Sequence, residues 1–103
     1  MAKSSRLPGR PKRLSIQGKR YKVASLAPEA GLLGRCDSDS CTIFLMDGME
    51  GQQERDTLLH EALHAIDSEL KLDFTEQQVH ALASSLYALF NQNKQFAKWF
   101  LTY

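Results

Sequence analysis

A chain of 103 residues can form one compact domain with a modest core and is too short to form a second domain. Hydrophobic residues make up 43% of the chain and charged residues 24%, which excludes fibrous and intrinsically disordered proteins. The net charge of +1 hides an uneven distribution, because residues 1–22 hold eight of the thirteen basic residues and no acid. A basic amino-terminal part therefore precedes an acidic remainder.

Membrane insertion and export are not expected from this sequence. No apolar run approaches the roughly 20 residues that a membrane-spanning helix needs. The basic start is not followed by the hydrophobic stretch of a signal sequence. We therefore expect a cytoplasmic protein without membrane contact. In that reducing compartment Cys36 and Cys41 are expected to be free thiols with a structural role.

Residues 1–13 combine Pro, Gly, Ser and basic residues with few apolar ones. This composition predicts a flexible basic arm ahead of a single domain over residues 14–103. Within the arm, Gly9-Arg10-Pro11 lies among basic residues and resembles the core of an AT-hook, which inserts an arginine into the DNA minor groove. Weak, salt-sensitive DNA binding through residues 6–13 is one expectation, and a solubilising tail is the other.

The first half of the domain is predicted to form short β-strands. The strand candidates are residues 14–17, 21–25, 32–36 and 42–46. The first two alternate apolar and polar residues around Gly18-Lys19, which predicts a hairpin. The last two flank a turn-rich Asp-Ser-Asp-Ser segment, and residues 42–46 are rich in β-branched and large apolar side chains.

Beyond residue 50 the apolar residues follow a helical period, which predicts a helix over about residues 51–70. Thr75 and Gln78 form a predicted capping box at the start of a second helix. Aromatic residues near the end of the chain, Trp99 among them, predict a last helical turn or two that packs into the core. The fold class is therefore α+β, a small sheet followed by helices.

The first predicted helix carries His60-Glu61-Ala62-Leu63-His64, an HExxH pattern. Two histidines four residues apart lie on one helical face, roughly 6 Å apart, so both imidazoles can reach one metal ion. Zinc accepts imidazole nitrogen, and catalytic zinc sites have three protein ligands. Glu61 is turned by about 100° from His60 and flanks the metal, where it can act as general base towards an attacking water. The pattern predicts a Zn²⁺-dependent hydrolase.

A third ligand has two candidates, Glu76 and His80, one turn apart in the second helix. If the helices run antiparallel, helix rise alone places His80 level with His64, whereas Glu76 requires a steep crossing. This geometry favours His80 slightly and leaves both open. Asp67, on the ligand face of the first helix, is either an outer carboxylate that orients a histidine or a solvated acid.

The segment DTLLHEALHAID, followed by a short spacer and residues 76–83, resembles the minimal phage and prophage metallopeptidases related to the ImmA/IrrE family. In that family a pattern close to ExxAxxFA follows HExxH, and Glu76 occupies its leading position here. The resemblance implies a zincin fold, a phage or prophage origin, hydrolysis of peptide bonds in a protein or peptide substrate, and Glu76 as the third zinc ligand beside His60 and His64.

The resulting expectation is a minimal zincin in which a small antiparallel sheet packs against the HExxH helix and a second, ligand-bearing helix. Residues 42–46 are expected to form the edge strand beside the cleft and to pair with an extended peptide. Two alternatives remain. One is a catalytically idle, regulatory zincin-fold protein that binds protein or DNA. The other is a DNA-associated protease, similar to SprT-like enzymes, that uses the basic arm.

Overall fold

The computed structural model describes residues 9–103 and has four strands and three helices within them. In chain order they are β1 (Arg13–Ile16), β2 (Lys19–Leu26), β3 (Gly34–Asp37), β4 (Thr42–Met46), α1 (Gly51–Leu70), α2 (Glu76–Gln92) and α3 (Lys94–Leu101), with a short 3-10 turn, Pro28–Ala30, between β2 and β3. The predicted α+β class is confirmed. Residues 1–8, which hold most of the predicted arm, lie outside the described residues.

The first two strands form the predicted hairpin. Gln17 and Gly18 lie between them with φ angles of 49° and 79°. Positive φ at both central residues is the mark of a type I′ turn, whose twist matches that of the paired strands. The hairpin directs Leu14 and Ile16 of β1 and Tyr21 of β2 into the core. Alternation of apolar residues therefore predicted both the pairing and the buried side.

The strand order in the sheet is β1-β2-β4-β3, which corrects two predictions. β2 and β4 are parallel, so the sheet is mixed and not antiparallel throughout. β4 is paired on both sides and is not the edge strand. The reason is the connection after β2. It carries the chain past the position next to β2, which stays free for β4. β3 then forms outside, and β4 returns between β2 and β3, leaving β3 at the edge.

Helix α1 covers one face of this sheet, α2 packs on α1, and α3 packs on α2. The main core lies between sheet and helix and consists of five buried residues. They are Ile16, Tyr21, Ile43, Leu45 and Ala65. A second, smaller core joins α1 to α2 through Leu63, Val79 and Ala83. None of the helices in residues 9–103 is both long and apolar enough to cross a membrane.

The connection from α1 to α2 is short and tightly hydrogen-bonded. Lys71 and Asp73 both adopt left-handed backbone conformations, with φ of 55° and 60°. The carboxylate of Asp67 accepts a hydrogen bond from the backbone N–H of Phe74 at 3.3 Å. The predicted capping box is confirmed, since Thr75 and Gln78 exchange side-chain to backbone hydrogen bonds. These contacts define where α2 begins.

Helix α3 lies on the surface, and the prediction that Trp99 belongs to the core is wrong. The Trp99 side chain is 73% exposed. Phe96 stacks instead on Phe90 of α2, with ring centroids 5.7 Å apart, and Phe100 packs on Phe90 in a tilted arrangement at 5.6 Å. Because α3 packs mainly against α2, one side of the helix is covered and the side that carries Trp99 is open to solvent.

The described end of the predicted arm lies against the domain. Arg10 donates to Glu54 at 2.6 Å, to the carbonyl oxygen of Met46 at 3.0 Å and, more weakly, to Asp47 at 3.4 Å. Its side chain is only 20% exposed. The guanidinium that an AT-hook would insert into DNA is therefore engaged within the molecule.

Candidate metal centre

Helix α1 directs the two histidines of the HExxH pattern to its exposed flank. Leu63 faces α2, and Ala65 faces the sheet, so the helix is held on two sides. The remaining side carries His60 and His64, which are both partly buried. Their Nε2 atoms are 3.2 Å apart. The spacing of four residues thus brings both imidazoles to one point, as the sequence predicts.

Glu76, the first residue of α2, completes the group. Its Oε2 lies 2.8 Å from Nε2 of His60, and its Oε1 lies 3.0 Å from Nε2 of His64. One ligand atom from each of the three residues can be chosen so that all lie within 4.8 Å of one another. Helix α2 begins at this place because of the capped, left-handed connection described above. The three predicted ligands are therefore adjacent in space.

His80 lies beside this group rather than within it. Its ring centroid is 6.1 Å from that of His60, edge to face, and its side chain is exposed. The simple antiparallel geometry favoured His80, but it did not include the two left-handed residues, Lys71 and Asp73. These fold the chain back so that the first turn of α2, and not the second, faces the histidines.

Glu61 is buried beside the histidines, with only 7% of its surface exposed. Burial raises the pKa of the Glu61 carboxyl, and the neighbouring His60 and His64 partly oppose this shift. A buried carboxyl next to a metal group is placed to accept a proton when a reaction offers one. The position agrees with the predicted role of a base that flanks the ligands.

The burial of Glu61 depends on Gly34, a residue that the sequence analysis did not single out. A Cβ built at position 34 would lie 3.1 Å from Cγ of Glu61 and 2.9 Å from Cγ2 of Thr57. Strand β3 can approach α1 this closely only because Gly34 has no side chain. The signal available in the sequence was a glycine inside a segment otherwise predicted to be a strand.

A cleft of about 800 Å³ opens over the candidate ligands His60, His64 and Glu76. Its walls include Gly34 and Cys36 of β3, the three candidate ligands, and Lys71 of the connection to α2. The edge strand at the cleft is thus β3. Cys36 and Cys41 are free thiols, as predicted. Burial raises the pKa of the Cys36 thiol to about 11, so the thiol is protonated at neutral pH.

Asp67 has a contact in the turn after α1 that the sequence did not indicate. Both of its carboxylate oxygens point to the backbone N–H of Phe74, at 3.4 and 3.3 Å. The backbone carbonyl of Asp67 also accepts from the N–H groups of Lys71 and Leu72. Asp67 therefore stabilises the turn that leads to Glu76. In this way it helps to position Glu76 beside the histidines.

No protein-family model, curated protein or solved structure matches this chain. The resemblance to ImmA/IrrE-type metallopeptidases accordingly remains a prediction from the sequence motifs. An assignment of function depends on the geometry of the site.

Proposed function

We propose that this protein is a zinc-dependent peptidase in which His60, His64 and Glu76 hold the metal and Glu61 is the general base. The observation that carries the proposal is the convergence of two imidazole nitrogens and one carboxylate on a single point of a cleft. A second carboxylate, Glu61, lies next to this group without belonging to it. This combination of three donors and one neighbouring base is the arrangement that metal-assisted hydrolysis requires.

The donor set fits zinc in chemistry and in size. Imidazole nitrogen and carboxylate oxygen are both ordinary zinc ligands. Ligand atoms about 2.0–2.2 Å from a tetrahedral ion lie roughly 3.3–3.6 Å from one another. The contacts between Glu76 and the two histidines, 2.8 and 3.0 Å, are a few tenths of an ångström shorter. The difference is small enough for side-chain rotations to bring these atoms to ligand distances.

Bound at this place, zinc would polarise a carbonyl oxygen and lower the pKa of a coordinated water to about 7. The residues of the chain supply the remaining functions. His60 and His64 are held by the packing of α1, and Glu76 is held by the cap of α2. Glu61 accepts the proton of the attacking water and returns it to the leaving amine. Its burial keeps bulk water away from the carboxylate and strengthens its interaction with nearby charge.

The substrate class follows from the edge of the sheet. β3 is paired on one side only, with β4, and its residues Gly34 and Cys36 line the cleft. A free strand edge offers unpaired backbone N–H and C=O groups to an extended peptide. A peptide added along β3 would pass over the metal group, which favours peptide bonds over other hydrolysable groups. We therefore expect the peptide to pair with β3 and not, as the sequence predicted, with residues 42–46.

The deciding experiment combines metal analysis with proteolysis. Purified protein should contain about one zinc per chain by elemental spectrometry and should cleave an unfolded protein substrate in a reaction that a chelator stops. Glu61→Gln should retain zinc and lose cleavage, whereas Glu50→Gln is the matched control. Glu50 is exposed and precedes the same helix, so this change should affect neither property. Zinc bound without cleavage in the wild-type protein would indicate a regulatory zincin-fold protein instead.

A further inference from the structure

The face of the sheet opposite α1, here called the outer sheet face, is strongly basic. Side chains alternate along each strand, and the buried Ile16, Tyr21 and Ile43 define the face that α1 covers. The intervening residues therefore point away from the helix. Charged among them are Arg13 of β1, Arg20 and Lys22 of β2, and Arg35 and Asp37 of β3.

The four cations of this face are exposed and lack acidic partners. Within residues 9–103, the basic residues in ion pairs are Arg10, Lys19, His60 and His64. Residues 1–8 contain no Asp or Glu that could neutralise the face. The one acid on the face, Asp37, uses its carboxylate to accept from the backbone N–H groups of Asp39 and Ser40. Asp37 stays a negative charge, and the four cations outnumber it, so this surface has a net positive charge.

Two of these cations oppose each other in the sheet. Arg13 and Lys22 are direct cross-strand neighbours in the β1–β2 ladder. Like charges directly opposite one another destabilise a sheet, whereas a Glu or Asp at either position would stabilise it. The pair weakens the free protein, and a bound polyanion would relieve the repulsion. This arrangement favours the binding of an anionic partner.

An aromatic platform lies on the same face. The guanidinium of Arg35 is 4.4 Å from the ring centroid of its cross-strand neighbour Phe44. This cation–π contact holds the guanidinium of the exposed Arg35 over the ring. Planar arginine and aromatic groups on an open sheet are surfaces on which unpaired nucleobases stack.

We propose that the outer sheet face binds a single strand of nucleic acid, with Arg13, Arg20 and Lys22 at the phosphates and Arg35 under a base. Arg20 and Lys22 are two residues apart on one strand, hence about 7 Å apart and able to contact different phosphates. A membrane surface is less suitable, because the large apolar side chains on the strands of this face, Leu26, Phe44 and Met46, are partly buried, and only Leu33, just before β3, is as much as 46% exposed among the described residues next to them. The proposal does not depend on the peptidase function.

The test is binding of a fluorescent single-stranded oligonucleotide of about 20 nucleotides, measured by anisotropy over a series of salt concentrations. With three phosphate contacts, the logarithm of the affinity should fall with the logarithm of salt with a slope of about −2. Arg20→Gln/Lys22→Gln should weaken binding about tenfold or more at about 50 mM salt and reduce the slope by about 1.4.

The matched control is Lys94→Gln/Lys98→Gln, which removes the same charge from exposed residues of α3. This variant should bind almost as well as the wild type. Arg10→Gln should also retain binding, because its guanidinium is engaged with Glu54. Amide chemical shifts of the unmutated protein provide a second measurement. On titration with the oligonucleotide they should change along β1, β2 and β3 and remain constant in α3.

Three outcomes would overturn the proposal. The first is the absence of binding even at about 20 mM salt, where electrostatic association is strongest. The second is an equal loss of affinity in the α3 control, which would show a response to net charge alone. The third is binding to anionic lipid vesicles with none to the oligonucleotide, which would identify the face as a membrane-contact surface.

Discussion

Gly34 and Glu61 face each other where β3 crosses α1, and a methyl group at position 34 would lie 3.1 Å from Cγ of Glu61. The same methyl group would lie 2.9 Å from Cγ2 of Thr57, a distance at which one side must move. We expect Gly34→Ala to lower the free energy of unfolding by roughly 1–3 kcal/mol, as overpacking does. Chemical denaturation measures this loss.

The same variant should separate metal binding from catalysis. Gly34 does not belong to the metal group of His60, His64 and Glu76, so zinc content should be unchanged. Hydrolysis should fall because the side chain of Glu61 is displaced. Gly34→Ala/Thr57→Ser removes the methyl group that makes the closest contact and should recover part of the stability. Full activity in Gly34→Ala would show that Glu61 tolerates this displacement and that Gly34 has no positioning role.

Alkaline stability should depend on Tyr21, whose hydroxyl donates to Glu69 at 3.0 Å. Burial, together with this hydrogen bond, raises the pKa of Tyr21 from 10.0 to about 12. Between these values the unfolded chain loses the tyrosine proton and the folded chain keeps it. Stability that is fully present below pH 10 is therefore lost as the pH rises towards about 12.

Tyr21→Phe should flatten this alkaline fall of the unfolding free energy, although the raised pKa values of Cys36 and Lys19 contribute a further part that remains. Tyr103→Phe is the matched control, because Tyr103 is fully exposed. Urea unfolding at several pH values from about 8 to 11 measures the slopes. Identical slopes for Tyr21→Phe and the wild type would contradict the assignment.

A buried residue of α2, Val79, and an exposed residue of α3, Trp99, should differ in their contribution to stability. Val79 is fully buried between α1 and α2, whereas Trp99 is 73% exposed on α3. We expect Val79→Ala to cost about 2 kcal/mol of unfolding free energy through lost packing and a cavity. Trp99→Ala should cost less than about 1 kcal/mol. A larger loss for Trp99→Ala than for Val79→Ala would place Trp99 in a packed interface.

The parts of the fold that were predictable are those encoded by local patterns. The helical period between residues 51 and 70 gave the bounds of α1, and the capping box at Thr75 gave the start of α2. The place of β4 was not predictable in this way. A strand rich in apolar residues looks the same at the edge and in the middle of a sheet, and its parallel pairing with β2 depends on contacts distant in sequence.

The candidate site shows the same division. His60, Glu61 and His64 follow from spacing on one helix, so the sequence places them together. The position of Glu76 relative to His80 depends on Lys71 and Asp73, non-glycine residues in a left-handed conformation that their side chains disfavour. The position of Gly34 depends on how closely two elements approach. Both are consequences of tertiary packing, which no local pattern encodes.

The third ligand allows the sharpest test of the site. The carboxylate of Glu76 contacts Nε2 of both His60 and His64. The ring of His80 lies edge to face with that of His60, with the two ring centroids 6.1 Å apart. Glu76→Ala removes one of three donors and the negative charge that offsets the ion. It should weaken zinc affinity by more than the 10–100-fold that is typical of a residue outside the ligand set.

His80→Ala should weaken zinc affinity by at most that 10–100-fold, because it leaves all three donors in place. Glu76→Gln is an informative intermediate, since it retains an oxygen donor of similar shape and loses the charge. Competition with a chromophoric chelator measures the zinc affinities, and circular dichroism of each variant verifies that the helices are intact. If His80→Ala proves more damaging than Glu76→Ala, zinc is held by three histidines. The first turn of α2 would then have to rotate away from the position that its cap now defines.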